Sequence, residues 1–496
     1  MRLLAAALLV AGLLLAGCTS DPAGAPAAAT ATPHLATSVL AGAIEPAGFE
    51  APTFKDLGAV ATGGPAFSAG EPSVRSALDG TLYVAFPGCD TPVNARPVTP
   101  LPGQDACLDG VVYKSTDTGA SWSKLNRKGD GRLGADGPTA NGDAEVAVDA
   151  AGTIYASNLG GGIQVRKSVD GGATWTYAAN VVPKGESADR QWNAAAEPGH
   201  VAIGWMGSLK DEARSVIVNT TFDGGATWTG AVALGHAIGW IGPLQFSPDA
   251  KHLYAVWTQP EAGEGVDLVL FGQKTCDVLV ARSDDGGRTF ATFDTGARIH
   301  TNLQGGHWSC VNMAPAMDVT GDGSVVVAWS EDVESPADAT AQGAVIKAVV
   351  SADAGLSWTP TFQLSNEPAA IMPWVSGGAG DRFAVTYFSN QVGADPDYAA
   401  AVWDLKGVYV DGAGKDAKVQ RVLIDDDVHE GGICSRGGAC TTTASDRFML
   451  DFFQNDVLPD GRLVVAYPAN PASQARVLEI RFAIQDGGTP LLQRAN

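Results

Sequence analysis

The sequence predicts an all-β fold built from four-stranded antiparallel units arranged in a ring. Three observations predict it: abundant glycine, no long amphipathic helical pattern, and two short hairpin motifs that alternate along the chain. The first motif is a hydrophobic strand, a Gly/Asp turn and a second strand ending in aromatic or aliphatic residues. It spans 72–87, 144–158, 192–206, 243–258, 314–330, 373–388 and 450–468. The second follows the pattern Ser/Thr-x-Asp-x-Gly-x-x-Trp/Phe. Its copies centre on Asp117, Asp170, Asp223, Asp285 and Asp353, as in Ser168-Val-Asp170-Gly-Gly172-Ala-Thr-Trp175. Such a regular alternation indicates a repeat architecture.

Each element of the second motif has a local reason. Asp and Ser side chains accept backbone N–H bonds within a turn, and Gly supplies the positive φ of a tight hairpin. The closing Trp or Phe is expected to pack beneath the turn. The five aspartates are therefore read as structural, with no metal or catalytic role. Segments 408–414 and 482–488 look like decayed copies that follow the sixth and seventh first-type hairpins. Two hairpins make one four-stranded blade, so the count is seven blades, with six as the alternative. Residues 53–61 are placed as an outer strand closing the ring, and the propeller is assigned to 53–496.

The second motif resembles the Asp box, or BNR repeat, of sialidase-like β-propellers. That resemblance implies six blades, a Tyr nucleophile activated by a Glu, an Asp acid/base, and three arginines on a substrate carboxylate. It makes an exo-acting, retaining glycoside hydrolase one reading of the chain. The Arg-Ile-Pro-like motif of that family is missing, and the corresponding stretch is Gly70-Glu71-Pro72-Ser73. Arg75, Arg190 and Arg447 are candidates for the three arginines by position. Tyr387 and Tyr398 are candidate tyrosines, neither beside a Glu in the sequence.

The N-terminus is expected to direct export. Residues 3–15 form a Leu/Ala/Val run shorter than a bilayer span, which suits a signal peptide over 1–17. Leu15-Ala16-Gly17-Cys18 resembles a bacterial lipobox, which implies cleavage before Cys18 and lipidation of its thiol. Residues 18–52 are rich in Ala, Pro, Thr and Gly and are read as a flexible tether. The expected location is the extracytoplasmic side of the cell envelope, with membrane contact through the lipid only.

Acidic residues outnumber basic ones 54 to 32, a net charge of −22, which argues against nucleic-acid binding. Cys89, Cys107, Cys276, Cys310, Cys434 and Cys440 form an even set in an exported chain, so disulfides are expected. Several connectivities are open, among them 89–107, 276–310 and 434–440. No Cys/His spacing suits zinc. Asp318-Val-Thr-Gly-Asp322-Gly resembles part of a calcium loop but falls where a hairpin turn is expected, so no metal or cofactor is assigned.

With strands A to D numbered outward in each blade, the A–B and C–D turns share one face. The insertions 88–109, 259–275 and 331–343 fall on the other face, as do the long crossings 125–141, 299–312 and 425–445. Long loops on a rigid ring are where binding surfaces sit. Candidate ligand-binding residues at that mouth are Glu71, Arg75, Asp189, Arg190, Trp192, His307, Trp308, Trp374, Asp446 and Arg447, with Asp143 and Gln191 beside them. Aromatic rings and charged groups suit a sugar. The two readings are a monomeric surface propeller binding a glycan or a protein partner, and the sialidase-type hydrolase.

Overall fold

The computed structural model describes residues 38–39, 50–62, 70–87, 110–125, 143–210, 212–235, 239–260, 275–300, 314–334, 342–391, 401–412, 417–433, 449, 451–470 and 479–492. Residues 1–17, expected to be a signal peptide, lie outside these residues, as do Cys18, His307, Trp308, Asp446, Arg447, Tyr398 and every cysteine but Cys276. Among the described residues there are strands and turns and no helix long and apolar enough to cross a membrane.

The strands are β1 (Ser38–Val39), β2 (Thr53–Thr62), β3 (Ser73–Ser76), β4 (Leu82–Pro87), β5 (Gly110–Ser115) and β6 (Ser123–Lys124). They continue with β7 (Ala144–Val148), β8 (Ile154–Leu159), β9 (Ile163–Ser168), β10 (Thr176–Asn180), β11 (Ala188–Ala195), β12 (Val201–Leu209), β13 (Glu212–Thr221) and β14 (Val232–Gly235). Next come β15 (Ile241–Phe246), β16 (Leu253–Pro260), β17 (Thr275–Ser283), β18 (Ala291–His300), β19 (Ala316–Val319), β20 (Val325–Glu334), β21 (Gln342–Ser351) and β22 (Phe362–Gln363). The last are β23 (Ala369–Gly377), β24 (Phe383–Asn390), β25 (Val402–Asp411), β26 (Lys418–Glu430), β27 (Gln454–Val457), β28 (Leu463–Ala469) and β29 (Glu479–Gly487).

They pair as antiparallel four-stranded runs: β3 to β6, β7 to β10, β11 to β14, β15 to β18, β19 to β22 and β23 to β26. A further run, β27-β28-β29-β2, joins the two ends of the chain, with Thr53 opposite Gly487 and Thr62 opposite Glu479. One parallel pairing, Ala344 with Ala369, links the β19 and β23 runs into a larger sheet that also holds β1. The first strands touch in a closed cycle, β3 to β7, β11, β15, β19, β23, β27 and back to β3.

Inner strands are buried on both faces because each run is sandwiched between two neighbours. This explains strands such as Phe383–Asn390, buried at every residue, where a half-exposed strand would alternate. Outer strands face water; Thr176–Asn180 is largely exposed. The core is divided accordingly. One cluster joins Tyr155, Ile163 and Val165 to Ile203, Trp205 and Ile217 across the second and third runs. Others join the fourth and fifth runs through Val278, Val280, Val325 and Trp329, and the last and first through Val464, Phe482, Val74 and Val84.

The five Asp-centred repeats fold into the same hydrogen-bonded turn. In the second, Ser168 Oγ donates to Asp170 Oδ1 (2.7 Å) and accepts from the Gly172 N–H (2.8 Å). Asp170 then accepts from the Thr174 N–H (2.9 Å) and hydroxyl (2.5 Å). The turns at Asp117, Asp223, Asp285 and Asp353 repeat this pattern. Gly172 sits at φ 91°, and a Cβ there would lie 2.4 Å from Leu125 Cδ1 of the preceding run. Glycine is therefore required twice, by conformation and by close approach.

The turns are also linked from run to run. Lys114 Nζ donates to Gly171 O (3.0 Å), Lys167 Nζ to Gly224 O (2.7 Å) and Arg282 Nη1 to Ala354 O (2.6 Å). Cys276, expected at the edge of an insertion, is the second residue of β17, fully buried and disulfide-bonded. Asp318, expected in a turn, belongs to β19, and the turn residue is Asp322, which accepts from the Thr320 hydroxyl (2.6 Å).

Candidate functional site

The first strands are edge strands facing the axis of the cycle, so their free backbone groups need partners. Polar side chains of the adjacent run supply them. Gln454 Oε1 accepts from Val74 N–H (3.3 Å), Asp456 Oδ2 from Ser76 N–H (2.6 Å) and Asp318 Oδ2 from Gly377 N–H (2.7 Å). Asn455 Nδ2 donates to Trp374 O (3.1 Å). This is why acids and amides occupy an interior that the apolar pattern of the blades does not suggest.

Where β11 begins, its register with β12 shifts between Asp189 and Trp192. Such a bulge re-aims side chains, and here Arg190 adopts φ 51° and reaches the axis. Its guanidinium lies 2.7 Å from Glu71, 2.7 Å from Asp451 and 3.7 Å from Asp143, with its side chain 6% exposed. It also stands over the Phe452 ring at 5.1 Å and the Trp240 ring at 5.5 Å. Glu71 too has a positive φ, 50°. Left-handed backbone is costly for both residues and is held by the surrounding contacts. Burial pushes the Glu71 carboxyl well above its ordinary range, against the pull of Arg190. Asp143 and Asp451 add their repulsion.

Deeper along the strands, Trp192 and Trp374 meet from opposite sides of the cycle at 5.3 Å, and both contact Phe452, at 4.7 and 6.1 Å. This aromatic layer separates the Arg190 cluster from an axial cavity of about 350 Å³, to which all seven first strands contribute. Arg75, Asp318, Trp374 and Asp456 line it, and Leu78 and Leu492 lie where it meets the turns between first and second strands. Arg75 Nη1 donates to Val74 O and Gln454 Oε1, both at 2.6 Å, and Nη2 lies 3.2 Å from Glu145 Oε1. Burial, opposed by Arg75, Ser73 and Gln454, pushes Glu145 up to about 7. Burial likewise pushes Asp318 up to about 6 and raises Asp456.

The structure therefore divides the set of candidates. Glu71 and Arg190 share one cluster, with Asp189 exposed beside it. Trp192 is a buried packing residue. Arg75 and Trp374, expected at the loop-bearing mouth, line the cavity on the far side of the aromatic layer. Arg75 and Arg190 do not converge as a carboxylate clamp, because each is held by carboxylates of its own. Tyr387 is paired with a glutamate after all: its hydroxyl donates to Glu367 Oε2 (3.2 Å), and Lys406 lies 3.3 Å from Glu367 Oε1. That tyrosine is fully buried among the apolar residues between the fifth and sixth runs. Burial and the Glu367 charge raise its pKa well above the ordinary value, the opposite of what a nucleophile needs.

Asp451, Trp240, Phe452, Glu145 and Asp456 were not singled out by the sequence. Asp451 and Phe452 lie three and two residues ahead of β27, much as Glu71 lies two residues ahead of β3, and that near-correspondence is the signal that points to them.

No protein-family model matches the chain, and no curated protein matches it. Solved structures similar to it include a protein of unknown function from Dyadobacter fermentans, 14% identical with a TM-score of 0.47 over 87% of this chain and 99% of that one. Another is the Penicillium chrysogenum alpha-L-arabinanase in complex with arabinobiose, at 11% identity and TM-score 0.44 over 76% of this chain and 98% of that one. A third is a polysaccharide lyase of family PL25, an ulvan lyase, at 12% and 0.44 over 88% and 97%.

Proposed function

We propose that this chain is an exported, lipid-anchored, seven-bladed Asp-box propeller that binds a glycan or a surface protein without sialidase-type catalysis. The observation that carries the reading is the state of Arg190, buried and held by Glu71, Asp143 and Asp451. A guanidinium so buried and already neutralised by three carboxylates is closed to a substrate carboxylate. The cycle of first strands supports seven blades over six. The binding face is the one bearing the long connections. Residues 88–109, 261–274 and 335–341 fall between second and third strands, and 126–142, 301–313 and 434–448 between fourth and first strands. In antiparallel runs both kinds of connection leave from the same end.

The hydrolase reading, exo-acting and retaining, keeps one point in its favour, the Tyr387–Glu367 contact, and its burial opposes that role. A glycan array probed with the full chain tests the proposal. Binding to a defined glycan class, lost by about tenfold or more when 88–109 is shortened to a two-residue link, is the expected result. Binding left unchanged by shortening each of the three insertions contradicts it.

A further inference from the structure

We propose that the axial cavity binds a small primary alkylammonium ion, with Asp318 and Asp456 as its anionic partners and Leu78 and Leu492 against its alkyl chain. This site is independent of the partner surface above, since the Trp192–Trp374–Phe452 layer stands between the cavity and the loop-bearing mouth.

Size comes first. A cavity of about 350 Å³ lies in the range of small-ligand sites. Its walls are strands of the rigid cycle, so it is formed before any ligand arrives. Charge comes second. Asp318 and Asp456 line the cavity, and Glu145 stands behind Arg75. Three carboxyl groups face one guanidinium whose donors already serve Val74, Gln454 and Glu145. The surplus is negative, and an anionic ligand is repelled.

Geometry comes third. Asp318 Oδ1 accepts from the Val319 N–H (2.7 Å) and Oδ2 from the Gly377 N–H (2.7 Å). Asp456 Oδ1 accepts from the Val457 N–H (2.9 Å) and Oδ2 from the Ser76 N–H (2.6 Å). Each carboxylate is fixed in orientation by the backbone, yet each oxygen keeps a second lone pair for a donor.

The ligand class follows from what these groups lack. Among the described residues no three His, Cys, Asp or Glu side chains are placed to hold a metal ion. An ammonium group carries one charge and three donors, which suits two carboxylates with spare acceptor capacity. The outer end of the cavity is apolar, with Leu78 76% and Leu492 41% exposed, and this favours an alkyl chain over a hydroxylated one.

The probe is n-butylammonium, with 1-butanol as its neutral isostere, titrated calorimetrically into the full chain at physiological salt. The expected result is saturable binding of one butylammonium and none of butanol. Asp318→Asn and Asp456→Asn should each weaken it by about tenfold or more. Asp284→Asn on the outer surface should leave it unchanged. If the acid variants fail to fold, Ala195→Phe, which fills the cavity wall and keeps every charge, should cause the same loss. No saturable binding by the wild type overturns the proposal. So does equal affinity in Ala195→Phe, which would mean that the acidic surface alone attracts the cation.

Discussion

The outer turns and the axis are both built on carboxylates, and they use them in opposite ways. In the turns, hydroxyl and backbone donors surround exposed aspartates and lower them, Asp117, Asp170 and Asp223 to about 2. At the axis, burial dominates. Glu145 is raised to about 7 and Asp318 to about 6, and Glu71 and Asp456 are raised as well. A turn aspartate answers a local need for acceptors and is satisfied within its own hairpin. An axial acid binds the free edge of a neighbouring strand or a shared guanidinium, so it joins runs that are distant in sequence.

The largest expected effect is therefore at the axis. Arg190→Leu leaves Glu71, Asp143 and Asp451 without their common cation, and should cost about 3–5 kcal/mol of unfolding free energy. Urea denaturation measures it; a loss under about 1 kcal/mol would mean that the acids are held by something else.

The second effect separates the two regions by pH. Glu145 has a folded pKa above its unfolded value, so its contribution is fully present below about 4.5 and is lost as pH rises through about 7. The shift corresponds to about 3 kcal/mol. Asp318 acts in the same sense between about 4 and 6. The turn aspartates have lowered values, so their contribution is present above about 4 and is lost as pH falls toward 2. Stability should peak near pH 4 to 5, and Glu145→Gln should flatten the alkaline side of the curve. A maximum above pH 7 in the wild type would break the contrast.

Smaller effects belong to the turns. Ser168→Ala removes the acceptor of the Gly172 N–H and one donor to Asp170, and should cost about 1 kcal/mol. Lys167→Met removes the contact with Gly224 O and should cost about 0.5 kcal/mol or less. Thermal melts of the two variants rank them. A Lys167→Met loss as large as that of Arg190→Leu would show that the outer links, and not the axis, hold the ring.

The contrast also explains what the sequence revealed. Each turn is encoded within eight consecutive residues, so Ser168, Asp170, Gly172 and Trp175 announced their geometry directly, as did the hairpins and the closing strand at 53–62. The axis is assembled from residues hundreds of positions apart, such as Arg190 and Asp451. Only the alignment of first strands brings them together. Arg190 and Glu71 were legible as candidates because they precede or open first strands, but their pairing was not. Asp318 looked like a turn residue because Thr-Gly-Asp-Gly follows it closely, but β19 runs through it to Val319. Tyr387 on β24 meets Glu367, which lies ahead of β23, and no spacing rule reveals that contact.

The central claim is that Arg190 is a structural clamp in a binding propeller and not a substrate-binding arginine. Release of fluorophore from a fluorogenic sialoside by the full chain, compared with Arg190→Lys, tests it most directly. The account predicts no release above the protein-free rate in either protein. Turnover by the wild type that vanishes in a folded Arg190→Lys protein would contradict it.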